Sequence, residues 1–224
     1  MSIDEPAATP RQFGNLEANL RFLDRTGVLT ATADILEIGS GTGALLRELC
    51  ARGLHARCVE LQQEFVDAAR RWKPDLPIER VGGVELPFPG ASFDVVMSFD
   101  VFEHIRDSDA HLREVRRVLR FGGSYVLQTP NKWTNVLFET IRWRSFTRFR
   151  EDHCSLHTIR ELTRRLERHG FGVLAFDVPV VNDFFRGKVR QHLGWPGLAV
   201  LRIVNPDRLP IAWRTNLYVR AVKE

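Results

Sequence analysis

The feature that most constrains this chain is a short apolar run that breaks into glycines and restarts as a helix-forming run. Ile35-Leu36-Glu37-Ile38 leads into Gly39-Ser40-Gly41-Thr42-Gly43, and then into Ala44-Leu45-Leu46-Arg47-Glu48-Leu49. Strand, glycine turn and helix in that order open a nucleotide-binding βαβ unit. Glycines let the backbone approach a ligand closely, and a helix start directs free N–H groups at it. Glu60 stands 21 residues beyond Gly39, near the end of the next predicted strand, Ala56 to Leu61. A carboxylate there can accept hydrogen bonds from both hydroxyls of a ribose.

The alternation continues downstream. Glu64 to Trp72 predicts a helix, Pro77 to Val81 a third strand, and Phe93 to Ser98 a fourth. Asp109 to Leu119 predicts another helix, and Gly122-Gly123 turns into a fifth strand, Ser124 to Gln128. His157 to His169 reads as a helix closed by Gly170, followed by strands at Phe171 to Val181 and Asn216 to Val222. Leu16, Leu20 and Leu23 with Phe13 predict an amphipathic lead-in helix. Strands separated by helices predict an α/β, Rossmann-like, seven-stranded and mostly parallel sheet with helices on both faces. Residues 131–155 and 182–214 are long for plain loops and rich in aromatics and arginine. They are expected to form a small helical cap on one domain spanning residues 1–224.

Composition narrows the class. Apolar content of 44% and charged content of 27% over 224 residues suit a globular domain with a core of ordinary size. Cys50, Cys58 and Cys154 form no C-x-x-C pair and are odd in number, which suits a reducing, cytoplasmic setting. Met1 to Thr9 has neither a basic nor an apolar region of the signal-peptide kind, and no run reaches the ~18 apolar residues of a spanning helix. The net charge of +4 carries no lysine-rich stripe, so no nucleic-acid partner is expected.

The ligand is left open by the glycines alone. Gly39-x-Gly41-x-x-Ala44 also satisfies the looser dinucleotide fingerprint. Glu37 tips the balance, because a carboxylate two residues before the first glycine suits a cationic amino-acid end and repels a pyrophosphate. The run Glu37 to Gly43 resembles motif I of the class I S-adenosylmethionine-dependent methyltransferases. Leu86-Pro87-Phe88-Pro89-Gly90-Ala91-Ser92-Phe93-Asp94-Val95-Val96 is similar to the segment before their fourth strand. Val101-Phe102-Glu103-His104-Ile105-Arg106-Asp107 and Leu112 to Gly123 are similar to the blocks that follow it. The resemblance is to the branch with ubiquinone- and menaquinone-biosynthesis enzymes and small-molecule methyltransferases, and covers residues 35 to about 130.

That resemblance implies S-adenosylmethionine as cofactor. Glu37, Gly39, Ser40 and Gly41 would meet its methionine part, Glu60 its ribose, and Leu61 and Gln62 its adenosine. Ser98, at the end of the fourth strand, is a further candidate contact. Relatives often read adenine with an acidic residue after the third strand. This chain has Gly82-Gly83-Val84 there, so backbone contacts from Gly83 or Val84 are expected instead. His104 is the candidate general base for an acceptor hydroxyl, since a neutral imidazole takes a proton near pH 7. A second reading has Glu103-His104 only capping and orienting the turn that follows.

Asp100, Glu103 and His104 invite a Mg²⁺ reading, and His153, Cys154 and His157 a zinc reading. Two of the first set are adjacent and the second cannot assemble four ligands, so no metal is assigned. Trp133, Phe138, Ile141, Trp143, Phe146 and Phe149 interleave with Arg142, Arg144, Arg148 and Arg150. They suit a lipophilic or glycolipid-like small-molecule acceptor, with a peripheral membrane contact left open. The expected reaction is O-methylation. Two alternatives stand beside it: an NAD(P)-dependent oxidoreductase, and a non-catalytic, membrane-associated scaffold that binds S-adenosylmethionine.

Overall fold

The computed structural model describes residues 14–143 and 153–224. In chain order these form α1 (Leu16–Thr26), β1 (Asp34–Ile38), α2 (Ala44–Ala51), β2 (His55–Glu60), α3 (Gln63–Trp72), β3 (Ile78–Arg80) and β4 (Phe93–Phe99). A 3₁₀ turn at Phe102–His104 follows, then α4 (Ser108–Val118), β5 (Leu119–Pro130), α5 (Lys132–Trp143), α6 (Ile159–Arg168), β6 (Phe171–Phe176), α7 (Asp183–Ile203) and β7 (Asn216–Lys223).

The seven strands make one sheet in the order β3-β2-β1-β4-β5-β7-β6. β1 pairs in parallel with β2 and with β4, and β4 pairs in parallel with β5. β7 is inserted antiparallel between β5 and β6. The order reverses at β1, so the crevice beyond the carboxyl ends of β1 and β4 is the switch point where ligands of open α/β sheets bind.

Both faces of the sheet are covered, which is why its central strands are nearly unbroken apolar runs. Ile35, Val95, Met97 and Val126 face one layer, with Phe22 and Leu23 of α1, Leu46 and Leu49 of α2 and Val66 of α3. Leu36, Ile38, Val96 and Leu127 face the other, with Leu112, Val115 and Val118 of α4 and Leu162 and Leu166 of α6. Neighbours along a strand fall into opposite layers, as period-two alternation requires. Local signals set the helix ends. Asn15 caps α1 by accepting from the Ala18 N–H, Asp107 caps α4 by accepting from Ala110, and Thr158 with Glu161 forms a capping box on α6.

Several expectations shift at their edges. The fifth strand runs from Leu119, ahead of the glycine pair, and the strand expected over Phe171 to Val181 stops at Phe176. Helices do occupy both excursions. α5 lies in the first, and α7 fills most of the second with a break at Gly194 (φ 62°, ψ −153°) just before Pro196. The aromatic and arginine residues expected at 144–150, with the side chains of Arg142 and Trp143 and the N-terminal Phe13, lie outside the described residues.

Candidate active site

A cavity of about 970 Å³ opens at the switch point. Its walls come from the glycine loop, the ends of β2 and β4, the segment before α1, and the inward faces of α5 and α7. That volume is at the upper end of small-molecule sites and leaves room for a nucleoside together with a second molecule.

The glycine loop is built for close approach. Gly39 has φ +76°, and a Cβ there would stand 2.4 Å from Val101 Cγ2, so neither the conformation nor the space admits a side chain. Its N–H extends the parallel ladder to the Val59 carbonyl at 2.7 Å. Glu60 ties the loop to the end of β2: one carboxylate oxygen accepts from the Gly41 N–H at 2.8 Å, the other from the Gln62 N–H at 2.9 Å. Each oxygen keeps a second lone pair for a ligand hydroxyl.

Glu37 is the outlier in energetic terms. It is 4% exposed, and its Oε2 has no hydrogen-bond partner. Burial first, and then the nearby Glu60 carboxylate, push its pKa up to about 8. A buried acid oxygen with no partner, on the cavity wall, is a costly arrangement that a cationic ligand group would relieve.

The opposite end of the cavity forms around the residues after β4. Asp100 is held in the left-handed region (φ 54°) by Gln128, whose side-chain carbonyl accepts the Asp100 N–H at 2.9 Å while its amide donates to Asp100 Oδ1 at 3.0 Å. Glu103 is 1% exposed and accepts from Thr129 Oγ1 at 3.0 Å. Burial, then the Asp100 charge, push its pKa up to about 8. His104 lines the cavity with its side chain half exposed; its Nε2 is 3.9 Å from Glu103 Oε1 and its ring 5.1 Å from that of His153. Glu103, His104 and His153 each present one ligand-type atom, all within 4.8 Å of one another. Such an O/N/N set has the chemistry to hold a divalent ion. It differs from both sets seen in the sequence, because Asp100 is engaged with Gln128, and His157 is buried against Ser155 and Phe102.

Of the sequence candidates, Glu37, Gly39, Ser40, Gly41, Glu60, Leu61, Gln62, Gly83 and His104 line the cavity. Two do not. Ser98 is fully buried, and its hydroxyl bonds to Tyr125 Oη at 2.7 Å, because alternation along β4 points it at the α4 layer. Val84 does not line the cavity and is 37% exposed. The cavity also recruits residues that sequence reading missed. Asn15 caps α1 and Asn19 lies on it, Asn135 and Glu139 come from α5, and Lys188 and His192 from α7. Nothing local in the sequence says which face of these helices turns inward.

Comparison with known proteins agrees with this geometry. Residues 36–127 match the family model described as "Methyltransferase domain". A "probable S-adenosylmethionine-dependent methyltransferase" of Mycolicibacterium smegmatis is 34% identical over 146 residues, covering 64% of this chain and 53% of that protein. The 27-O-demethylrifamycin SV methyltransferase of Amycolatopsis mediterranei is 34% identical over 121 residues, covering 50% of this chain and 44% of that one. Among solved structures, a chain from the complex between the Haloferax volcanii Trm112 methyltransferase activator and a methyltransferase shares the fold. Its TM-score is 0.71 at 18% identity, with 93% of this chain and 89% of that chain covered. Residues 36–127 thus match a methyltransferase domain, and the chain is similar to S-adenosylmethionine-dependent methyltransferases. It spans about half the length, or less, of the curated relatives it matches.

Proposed function

We propose that this chain binds S-adenosylmethionine between Glu37 and Glu60 and transfers its methyl group to a small molecule held under α5 and α7. The observation that carries this reading is the unpartnered, buried Oε2 of Glu37. The cofactor's α-ammonium supplies the charge that this carboxylate lacks a partner for. Glu60 would take the ribose hydroxyls, and Leu61 and Gln62 would flank the nucleoside. A dinucleotide fits poorly, because its pyrophosphate would lie near Glu37, whose buried carboxyl has an oxygen without a hydrogen-bond partner and would gain no cation from that ligand. The oxidoreductase alternative therefore loses ground.

When bound, the cofactor supplies a methyl group already activated on a sulfonium, so the protein's work is positioning and proton removal. His104 stands where it can take a proton from an acceptor hydroxyl, with Glu103 and His153 fixing its surroundings. Phe138, Phe184, Phe185 and Val189 give the acceptor half an apolar lining, which supports O-methylation of a lipophilic compound. We read the whole as one domain with α5 and α7 as its cap. Incubating the protein with methyl-labelled S-adenosylmethionine and a lipophilic cell extract tests this directly. The expected result is one labelled, organic-soluble product; label transfer only to protein or nucleic acid would reject the acceptor class.

A second reading, peripheral membrane contact, is favoured by one observation. Trp133, Leu137 and Ile141, four residues apart on α5, are 58%, 63% and 55% exposed. Such a stripe suits a helix lying on a bilayer surface. No helix among the described residues is long and apolar enough to cross a membrane. Sedimentation with anionic liposomes tests the contact, and a Trp133→Ser, Leu137→Ser variant should remain in the supernatant. Liposome binding without turnover on any acceptor extract would instead favour the scaffold alternative.

A further inference from the structure

A line of buried polar side chains runs through the α4 layer and ends on the cavity wall. His111 of α4 is fully buried, with Nδ1 2.6 Å from the Gly83 carbonyl and Nε2 2.9 Å from Tyr125 Oη. Tyr125 Oη is in turn 2.7 Å from Ser98 Oγ. The hydrogens can be assigned from chemistry alone. A carbonyl only accepts, so His111 Nδ1–H donates to Gly83. Burial holds the His111 pKa down to about 4, so the ring is neutral and Nε2 must accept, from the Tyr125 hydroxyl. Tyr125 having spent its proton, the Ser98 hydroxyl donates to it. Every donor has one acceptor, and the line has one direction.

Its far end is the loop after β3. A Cβ on Gly83 would stand 3.1 Å from Ile38 Cγ2 and 3.4 Å from His111 Nδ1, so this loop lies directly on β1 and α4. In a trans peptide the carbonyl and the next N–H point in opposite directions. Holding the Gly83 carbonyl toward His111 therefore turns the Val84 N–H away from the core. Among the described residues, neither the Gly83 nor the Val84 N–H donates to a protein acceptor. Gly83 itself lines the cavity on the side of Leu61 and Gln62.

We infer that His111 is a positioning residue for purine recognition: it fixes the Gly83–Val84 peptide so that backbone donors there meet the acceptor nitrogens of the cofactor's adenine. This rests on the proposed binding of S-adenosylmethionine. It gives the loop a reader of adenine although no carboxylate stands at Gly82-Gly83-Val84. A backbone N–H facing adenine N1 rejects hypoxanthine, whose N1 carries a hydrogen.

The test compares S-adenosylhomocysteine with S-inosylhomocysteine by calorimetric titration of the full chain. Wild type should prefer the adenosyl ligand at least tenfold. His111→Leu, which removes both bonds, should reduce that preference to less than threefold. His111→Asn keeps a donor near the Nδ1 position and should retain most of it. The ratio of the two affinities is insensitive to a general loss of folded protein. If His111→Leu does not fold, Tyr125→Phe supplies the same comparison, because it frees the ring from its Nε2 partner and should weaken the preference by a smaller factor. Wild-type preference left intact in folded His111→Leu would overturn the inference. Wild type that binds neither ligand would overturn the cofactor reading itself, a separate outcome.

Discussion

Glu37 and Glu60 close the ends of adjacent parallel strands, yet only one of them is satisfied by the protein. Glu60 accepts the Gly41 and Gln62 N–H groups, while Glu37 keeps a buried oxygen with no partner and a pKa raised to about 8. The protein alone thus favours the protonated form of Glu37, and a cationic ligand favours the ionised one. Binding of S-adenosylmethionine near pH 7 should release protons, visible as a dependence of the calorimetric heat on the buffer's ionisation enthalpy. Glu37→Gln should abolish that dependence and weaken binding about 10- to 100-fold, the effect of losing a charged hydrogen bond of about 1.5–3 kcal/mol.

The same shift sets a direction for stability without ligand. Glu37 and Glu103 have folded pKa values raised from the ordinary 4.5 to about 8. Their contribution is complete below pH 4.5 and is lost as pH rises toward about 8, because the unfolded chain ionises first. The midpoint of thermal unfolding of the ligand-free protein should carry a component that falls across this interval. Glu37→Gln should flatten its own share of the slope; a slope identical in the variant would remove Glu37 from the explanation.

Gly39 offers a test of the glycine loop that does not touch a charge. Gly39→Ala forces a Cβ against Val101 and a left-handed φ on an L-residue, costing about 1–2 kcal/mol for the conformation before any clash. Cofactor affinity should fall at least tenfold. Adding Val101→Ala should recover part of the loss but not all, since it removes the clash and leaves the conformational strain. Full additivity of the two changes in a double-mutant cycle would mean the Gly39–Val101 contact is not what excludes a side chain.

His104→Gln should lower turnover about 10²- to 10⁴-fold, the usual span for a general base, with S-adenosylmethionine affinity unchanged within about twofold. Steady-state kinetics with the identified acceptor measures this. Wild-type turnover in the variant would leave Glu103-His104 as a structural turn only.

Much of the molecule was legible because its signals are local. Strands β1, β2 and β4, the glycine loop and Glu60 announce themselves within a few residues, and the capping pair Thr158–Glu161 marks the start of α6. Ser98 was misplaced for a physical reason. β4 is buried on both faces, so its composition does not reveal which side each residue takes, and only the packing of α4 shows that Ser98 belongs to Tyr125 and His111. His153 could not be paired with His104 from spacing, because the chain returns to that turn from a distant segment. Lys188 and His192 were invisible for the same reason. Their helix contributes through its placement over the cavity, which is a property of the whole fold.

The central claim is that two neighbouring acids and a turn of small residues hold a sulfonium nucleoside. Titrating the purified chain with S-adenosylmethionine and, separately, with NADH measures it most directly. The account predicts one-to-one binding of S-adenosylmethionine, displaced by S-adenosylhomocysteine, and no heat with NADH. Saturable binding of NADH with a flat response to S-adenosylmethionine would contradict it.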